Sequence, residues 1–195
     1  AIPMFKNQFD FFVDQDWNLP FAYVWLDWGR DRNAPPPTVS VWIKGETRLD
    51  DLEARLFLNG QQILTTDDMG GVTSVQSRYP NSLENKETHR WELFNFEWYK
   101  FKYAATPQGR KMFPQARFVN ESDGAYQVKI YHKGQQIREL SFNISGGKFA
   151  DNGIAGSNGF SEGKVIVPVR VMGDKDKWSS TTWKADAFYG NPVNG

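Results

Sequence analysis

From Gly124 to Ile144, apolar and polar side chains alternate along two runs separated by a short polar break, and this stretch predicts a β-hairpin with one buried face. Tyr126, Val128 and Ile130 fall on one side, Gln127, Lys129 and Tyr131 on the other. Lys133-Gly134 makes the turn, with glycine supplying the positive φ that short hairpin loops demand. A two-residue loop sets Ile130 opposite Ile137. Continued unbroken, it sets Val128 opposite Glu139, a carboxylate on the core side. A shift of one residue instead pairs Val128 with Leu140 and Tyr126 with Phe142, so a β-bulge is expected near Arg138-Glu139.

The same pattern occurs upstream, where Leu56, Phe57 and Leu58 lead into Asn59-Gly60, the strongest short hairpin signal. A two-residue loop there sets Leu56 opposite Ile63 and Ala54 opposite Thr65. Gly-Gln-Gln-Ile follows the turn in both places, at 60–63 and again 74 positions later. A sandwich domain needs roughly 100 residues, so the repeat reads as two hairpins of one sandwich, not as two domains.

Elsewhere the pattern is less regular. Phe21, Tyr23 and Trp25 alternate with Ala22, Val24 and Leu26, a strand apolar on both faces that is either covered on each side or presents aromatics to a partner. Gly29 to Pro37 reads as a linker through Pro35-Pro36-Pro37, ending an N-terminal extension that crosses the sandwich. Thr38 to Ile43 is a strand with Val39, Val41 and Ile43 inward and Ser40 and Trp42 outward. Arg90 to Phe96 is read as a strand with a short helical turn after it, and Ala104 to Pro114 as a loop. Gly146 to Gly163 is a long Gly- and Asn-rich loop. Lys164 to Val171 is a strand whose Pro168 places it at an edge or a bulge. The aromatic tail from Trp178 to Gly195 is expected to pack back on the body.

Asp123-Gly124-Ala125-Tyr126-Gln127-Val128 resembles the start of the penultimate strand of immunoglobulin-like domains, where a Tyr after an acidic or Gly-bearing corner packs under the sheet edge. No Cys follows, so the inter-sheet disulfide of antibody domains is absent. The resemblance implies a fold and carries no function. The expectation is all-β: an immunoglobulin-like β-sandwich with an N-terminal extension over 1–37, a core over 38–145, and a loop, edge strand and packed tail over 146–195.

Composition narrows the chemistry. Lys plus Arg and Asp plus Glu balance at 23 each, and no basic block offers nucleic acid a footprint. No apolar run approaches the length of a membrane span. Zero Cys removes thiolate nucleophiles and Cys-based zinc sites. The aromatic, Gly- and Asn-rich sandwich pattern favours a secreted or periplasmic location, where Asn120 and Asn143 would be glycosylation sequons in a eukaryotic host.

Candidate catalytic groups are few. His89 and His132 are the only imidazoles, and no Gly-x-Ser-x-Gly nominates a serine. The close carboxylate pairs Asp14/Asp16, Asp67/Asp68 and Asp174/Asp176 occupy turns, where acids are ordinary. Calcium could find oxygen ligands at Asp174 and Asp176 or at Asp151-Asn152, although lysines interleave the first pair. No other cofactor is expected. The aromatic surplus, with 8 Trp, leans furthest towards function, because such rings stack on sugars and anchor protein interfaces. Trp25, Trp28 and Trp42 are the candidate ligand-binding residues if exposed together, unless the aromatic flanks cover them. The expected function is a non-catalytic binding or interaction domain with a protein or carbohydrate partner. The alternatives are a carbohydrate-active protein using loop carboxylates and a structural component of an envelope assembly.

Overall fold

A computed structural model of the chain describes residues 21–44, 47–78, 91–152 and 163–172. The fold is all-β. One antiparallel sheet of ten strands curls until it is nearly closed into a barrel. Twelve strands are described: β1 (Phe21–Leu26), β2 (Pro37–Lys44), β3 (Leu52–Leu58), β4 (Gln61–Thr65), β5 (Gly70–Arg78), β6 (Trp91–Trp98), β7 (Phe101–Lys102), β8 (Arg117–Phe118), β9 (Gly124–His132), β10 (Gln135–Ser145), β11 (Lys148–Phe149) and β12 (Lys164–Val171). The main path runs β4-β3-β9-β10-β12-β1-β2-β6-β5, with β11 added on β10 and β7 paired separately, in parallel, with β8. A short helix, α1 (Pro107–Met112), lies between β7 and β8.

The hairpin β9–β10 forms as its pattern predicts: Val128 pairs with Leu140 and Tyr126 with Phe142. Its bulge falls at Ile137, one position earlier than expected, so Ile130 faces Arg138 and not Ile137. The shift brings the Arg138 side chain into the interior, 1% exposed, where Nη1 donates to the carbonyl of Ile137 and Nη2 to that of Trp42. The upstream hairpin β3–β4 carries the same irregularity at Ile63. Leu56 therefore pairs with Leu64, and Arg55 with Thr65, displacing the expected Leu56–Ile63 and Ala54–Thr65 pairs. Both turns hold positive φ at both central residues, Asn59-Gly60 and Lys133-Gly134, the conformation that matches strand twist.

The inner faces supply the core. Ala22, Val24, Val39, Val41, Phe94, Phe96, Val165 and Val167 meet Leu52, Ala54, Leu56, Val128, Ile130, Leu140 and Ile144. Trp98 ties the layers together by donating from its indole nitrogen to the carbonyl of Ala54. Tyr126 lies inside, its ring stacked between Phe101 and Phe142, and its hydroxyl donates back to the carbonyl of Ser122 at 2.7 Å.

Four expectations change. Phe21–Leu26, assigned to an extension, is a central strand between β12 and β2. β12 is central too: its first half pairs with β1 and its second with β10, and Pro168 falls where the pairing passes from one to the other. A proline is tolerated there because the β10 ladder begins only at Val169. The expected loop 104–114 contains α1, capped by the Thr106 hydroxyl on the Gly109 N–H. The expected loop from Gly146 begins instead as a tight turn at Gly146-Gly147 that returns as β11.

Candidate functional site

The two faces of the barrel separate where β12 passes from β1 to β10: Lys164 to Pro168 pair with β1, and only Val169 to Val171 pair with β10. A cleft of about 70 Å³ opens there. A closed cavity that takes up benzene measures roughly 150 Å³, about twice this, so the cleft admits part of a ring while the rest stays at its mouth. Leu26 and Val119, both buried, are its floor; Trp28 and Tyr103, whose rings touch, make one wall, and the consecutive Lys148 and Phe149 make another. Gly147 and Gly163 complete the lining with bare backbone.

Each wall has an identifiable support. Trp28 follows β1 on a strap, residues 27–36, that crosses back to β2. The strap begins as an Asx turn in which the Asp27 carboxylate accepts from the N–H groups of Gly29 and Arg30, and it closes with Asp27 N–H donating to the Pro36 carbonyl. Tyr103 is bound to the same strap, its N–H donating to the Pro35 carbonyl at 2.9 Å. The rings of Trp28 and Tyr103 meet edge to face, with centroids 5.8 Å apart. Phe149 stands edge to face against Phe142 of the core at 5.7 Å.

The strap is clasped from below. Asn33 accepts at its carbonyl from the N–H groups of Ala105 and Thr106, and at its side-chain oxygen from the Thr106 hydroxyl. Arg30 reaches Glu97 at 3.3 Å, and the Thr38 hydroxyl donates to the same carboxylate. Burial pushes the Glu97 carboxyl above the ordinary carboxylate range, against the opposing pull of Arg30 and Thr38. Burial likewise lowers the Lys102 amine, opposed by Asp31 and Glu97, and this amine sits 4.9 Å from the centre of the Phe113 ring. Both groups are 6% exposed, and neither lines the cleft. Their role is to anchor the strap under the sheet.

The three candidate tryptophans part company. Trp28 is 42% exposed and lines the cleft. Trp25 is half-buried on the outer face of β1, where its indole N–H donates to the Ser40 hydroxyl, which passes a hydrogen bond on to Asn95. Trp42 is 2% exposed, because the outer face of β2, with Thr38, Ser40 and Trp42 all buried, is itself an interior surface. They form no common platform.

Asp174 and Asp176 lie outside the described residues, as do His89, Asp14, Asp16 and the tail from Trp178. Asn152 is exposed, its amide donating to the Ile166 carbonyl. His132 stands beside Asp51 at 4.0 Å at the hairpin end. Asp67 and Asp68 form the β4–β5 turn; Asp67 is shifted upward by burial and by Glu53, partly offset by Arg55. Among the described residues no group of three or more His, Asp and Glu could hold a metal ion, and no helix is long and apolar enough to cross a membrane. The residues that pattern reading missed are Tyr103 and Phe149. Tyr103 ends a stretch read as a strand and a short helical turn, Phe149 lies in one read as a loop, and only the proximity of Trp28 to one and of the Gly146-Gly147 turn to the other makes them a site.

Comparison with family models, with curated proteins and with solved structures gave no match.

Proposed function

We propose that this chain is a non-catalytic binding domain whose ligand seats a ring in the cleft between Trp28, Tyr103 and Phe149. The observation that carries the reading is the exposed Trp28 over an apolar floor: a large ring partly in water beside an apolar cleft gains free energy when a second ring stacks there and displaces the solvent. The described lining residues carry no carboxylate, imidazole or serine hydroxyl, and Lys148 is their one charged side chain. That lining favours binding over the carboxylate chemistry of a glycosidase. The Tyr126 hydroxyl bonded back to Ser122 supports kinship with immunoglobulin-like sandwiches at the level of the fold alone.

The test uses two ring-bearing probes, N-acetyl-L-phenylalaninamide for an aromatic side chain and methyl β-D-glucopyranoside for the apolar face of a sugar. Each is titrated into the isotopically labelled protein. One of them is expected to shift the amide resonances of Gly147 and Gly163 saturably, and Trp28→Ala is expected to abolish the shift. The probe that binds assigns the ligand class, and failure of both overturns the reading.

A further inference from the structure

We infer that Asp123 is the positioning residue of this cleft, an assignment that rests on the ring-binding reading above. The five residues from Val119 to Asp123 connect three parts of the site. Val119 is its floor. Asn120 accepts at its side-chain oxygen from the Ala104 N–H at 2.7 Å, fixing the backbone immediately after Tyr103. Asp123 reaches the turn that leads into Lys148 and Phe149: one carboxylate oxygen accepts from Gly146 N–H at 2.7 Å and the other from Gly147 N–H at 2.9 Å.

The Gly146-Gly147 turn is built for that carboxylate. Both glycines hold positive φ, 59° and 73°, and two successive N–H groups in a turn can converge on one anion. A side chain at Gly147 would come within 3.0 Å of the Asn120 Cα, so the turn lies directly on the 119–123 segment. Lys148 and Phe149 follow at once. The segment is thus a bracket with one arm on each wall, and the carboxylate of Asp123 sets how far Phe149 stands from Tyr103. Charge-assisted hydrogen bonds of this kind are stronger than neutral ones, so the spacing is stiff where the pocket needs it. Asp123 touches no ligand; it acts through the turn.

The experiment compares Asp123→Ala and Asp123→Asn with the wild-type chain in two readouts: hydrogen exchange at the Gly146 and Gly147 amides, and affinity for whichever of the two probes the wild type binds. Asp123→Ala is expected to speed exchange at both glycines about tenfold or more while Val128 and Ile130 in β9 are unaffected, and to weaken the probe about fivefold or more. Asp123→Asn, which keeps one acceptor oxygen, is expected to fall between. Unchanged exchange in Asp123→Ala, or faster exchange with affinity within twofold of wild type, overturns the positioning role alone. If neither probe binds the wild type, the cleft reading and the role built on it fall together. Should the alanine variant not fold, the asparagine variant decides by the same criteria.

Discussion

Arg55 and Lys129 stand directly opposite each other in the β3–β9 ladder, and each stacks on an aromatic ring two residues beyond the other: Arg55 on Tyr131 at 4.2 Å, Lys129 on Phe57 at 4.8 Å. The pair marks a local two-fold axis. Several features on one side recur 74 positions later on the other: the Gly-Gln-Gln-Ile turn, the bulged isoleucine, and a matched pair of bonds, Asn59 N–H to Ala125 carbonyl and Lys133 N–H to Asp51 carbonyl, both 2.8 Å. Like charges facing across a ladder repel. Here each cation is drawn onto a ring, and Glu53 grips Arg55 with both oxygens.

Removing one ring should expose that repulsion. Tyr131→Leu keeps the apolar bulk but loses the π face, and is expected to cost about 0.5–1 kcal/mol. The loss should shrink at 1 M salt, where the two cations are screened from each other. Urea unfolding at low and high salt measures both, and a loss independent of salt would mean that the ring contributes only packing.

The two turns differ in one residue that matters. Lys133 holds a φ of +49°, a conformation that asparagine adopts more readily, and the upstream turn already has Asn59 at the same place. Lys133→Asn should stabilise the protein by about 0.5 kcal/mol. The lysine gives up only a solvent-exposed approach to Asp51 at 3.7 Å, worth little. A lower urea midpoint in the variant would contradict this account.

Glu53 makes stability depend on pH with a defined sign. The hydrogen bond from Arg55 holds its carboxyl below the ordinary range, against the opposing effect of burial and with help from Thr65. A carboxyl lowered in the folded state contributes stability that is present above its unfolded pKa, about 4.3, and lost as pH falls through the folded value. The stability difference between wild type and Glu53→Gln should therefore be largest near pH 7 and shrink through the acid range. Glu97, raised by burial, contributes with the opposite sign. A difference that grows on acidification would exclude the Arg55 bond as the cause.

Gly109 tests the clasp under the strap. A Cβ there would lie 2.1 Å from the Asn33 carbonyl oxygen. In an ordinary helix interior, Gly→Ala stabilises by about 1 kcal/mol. At this site the overlap should reverse the sign, destabilising by about 1–3 kcal/mol and loosening the Trp28–Tyr103 contact. Urea unfolding and near-ultraviolet circular dichroism report the two effects, and a stabilised variant would show that the strap is not seated on α1.

What the sequence by itself determined were the features that depend on neighbours along the chain. Alternation places Tyr126, Val128 and Ile130 inside, glycine marks the turns, and a misplaced Glu139 demands a bulge, because each follows from the two-residue period of a strand and the steric rules of short loops. The tertiary structure decided the position of that bulge, since it places both Ile137 and Arg138 inside and the Trp42 carbonyl on the neighbouring layer gives the arginine a partner there. It decided that β1 and β12 are central, because pairing partners more than 100 residues apart leave no local signal. It also decided which tryptophan meets solvent. Trp25, Trp28 and Trp42 look alike in the chain, and their exposure depends on what folds over each: a hydroxyl network, an open cleft, and a covered face of β2.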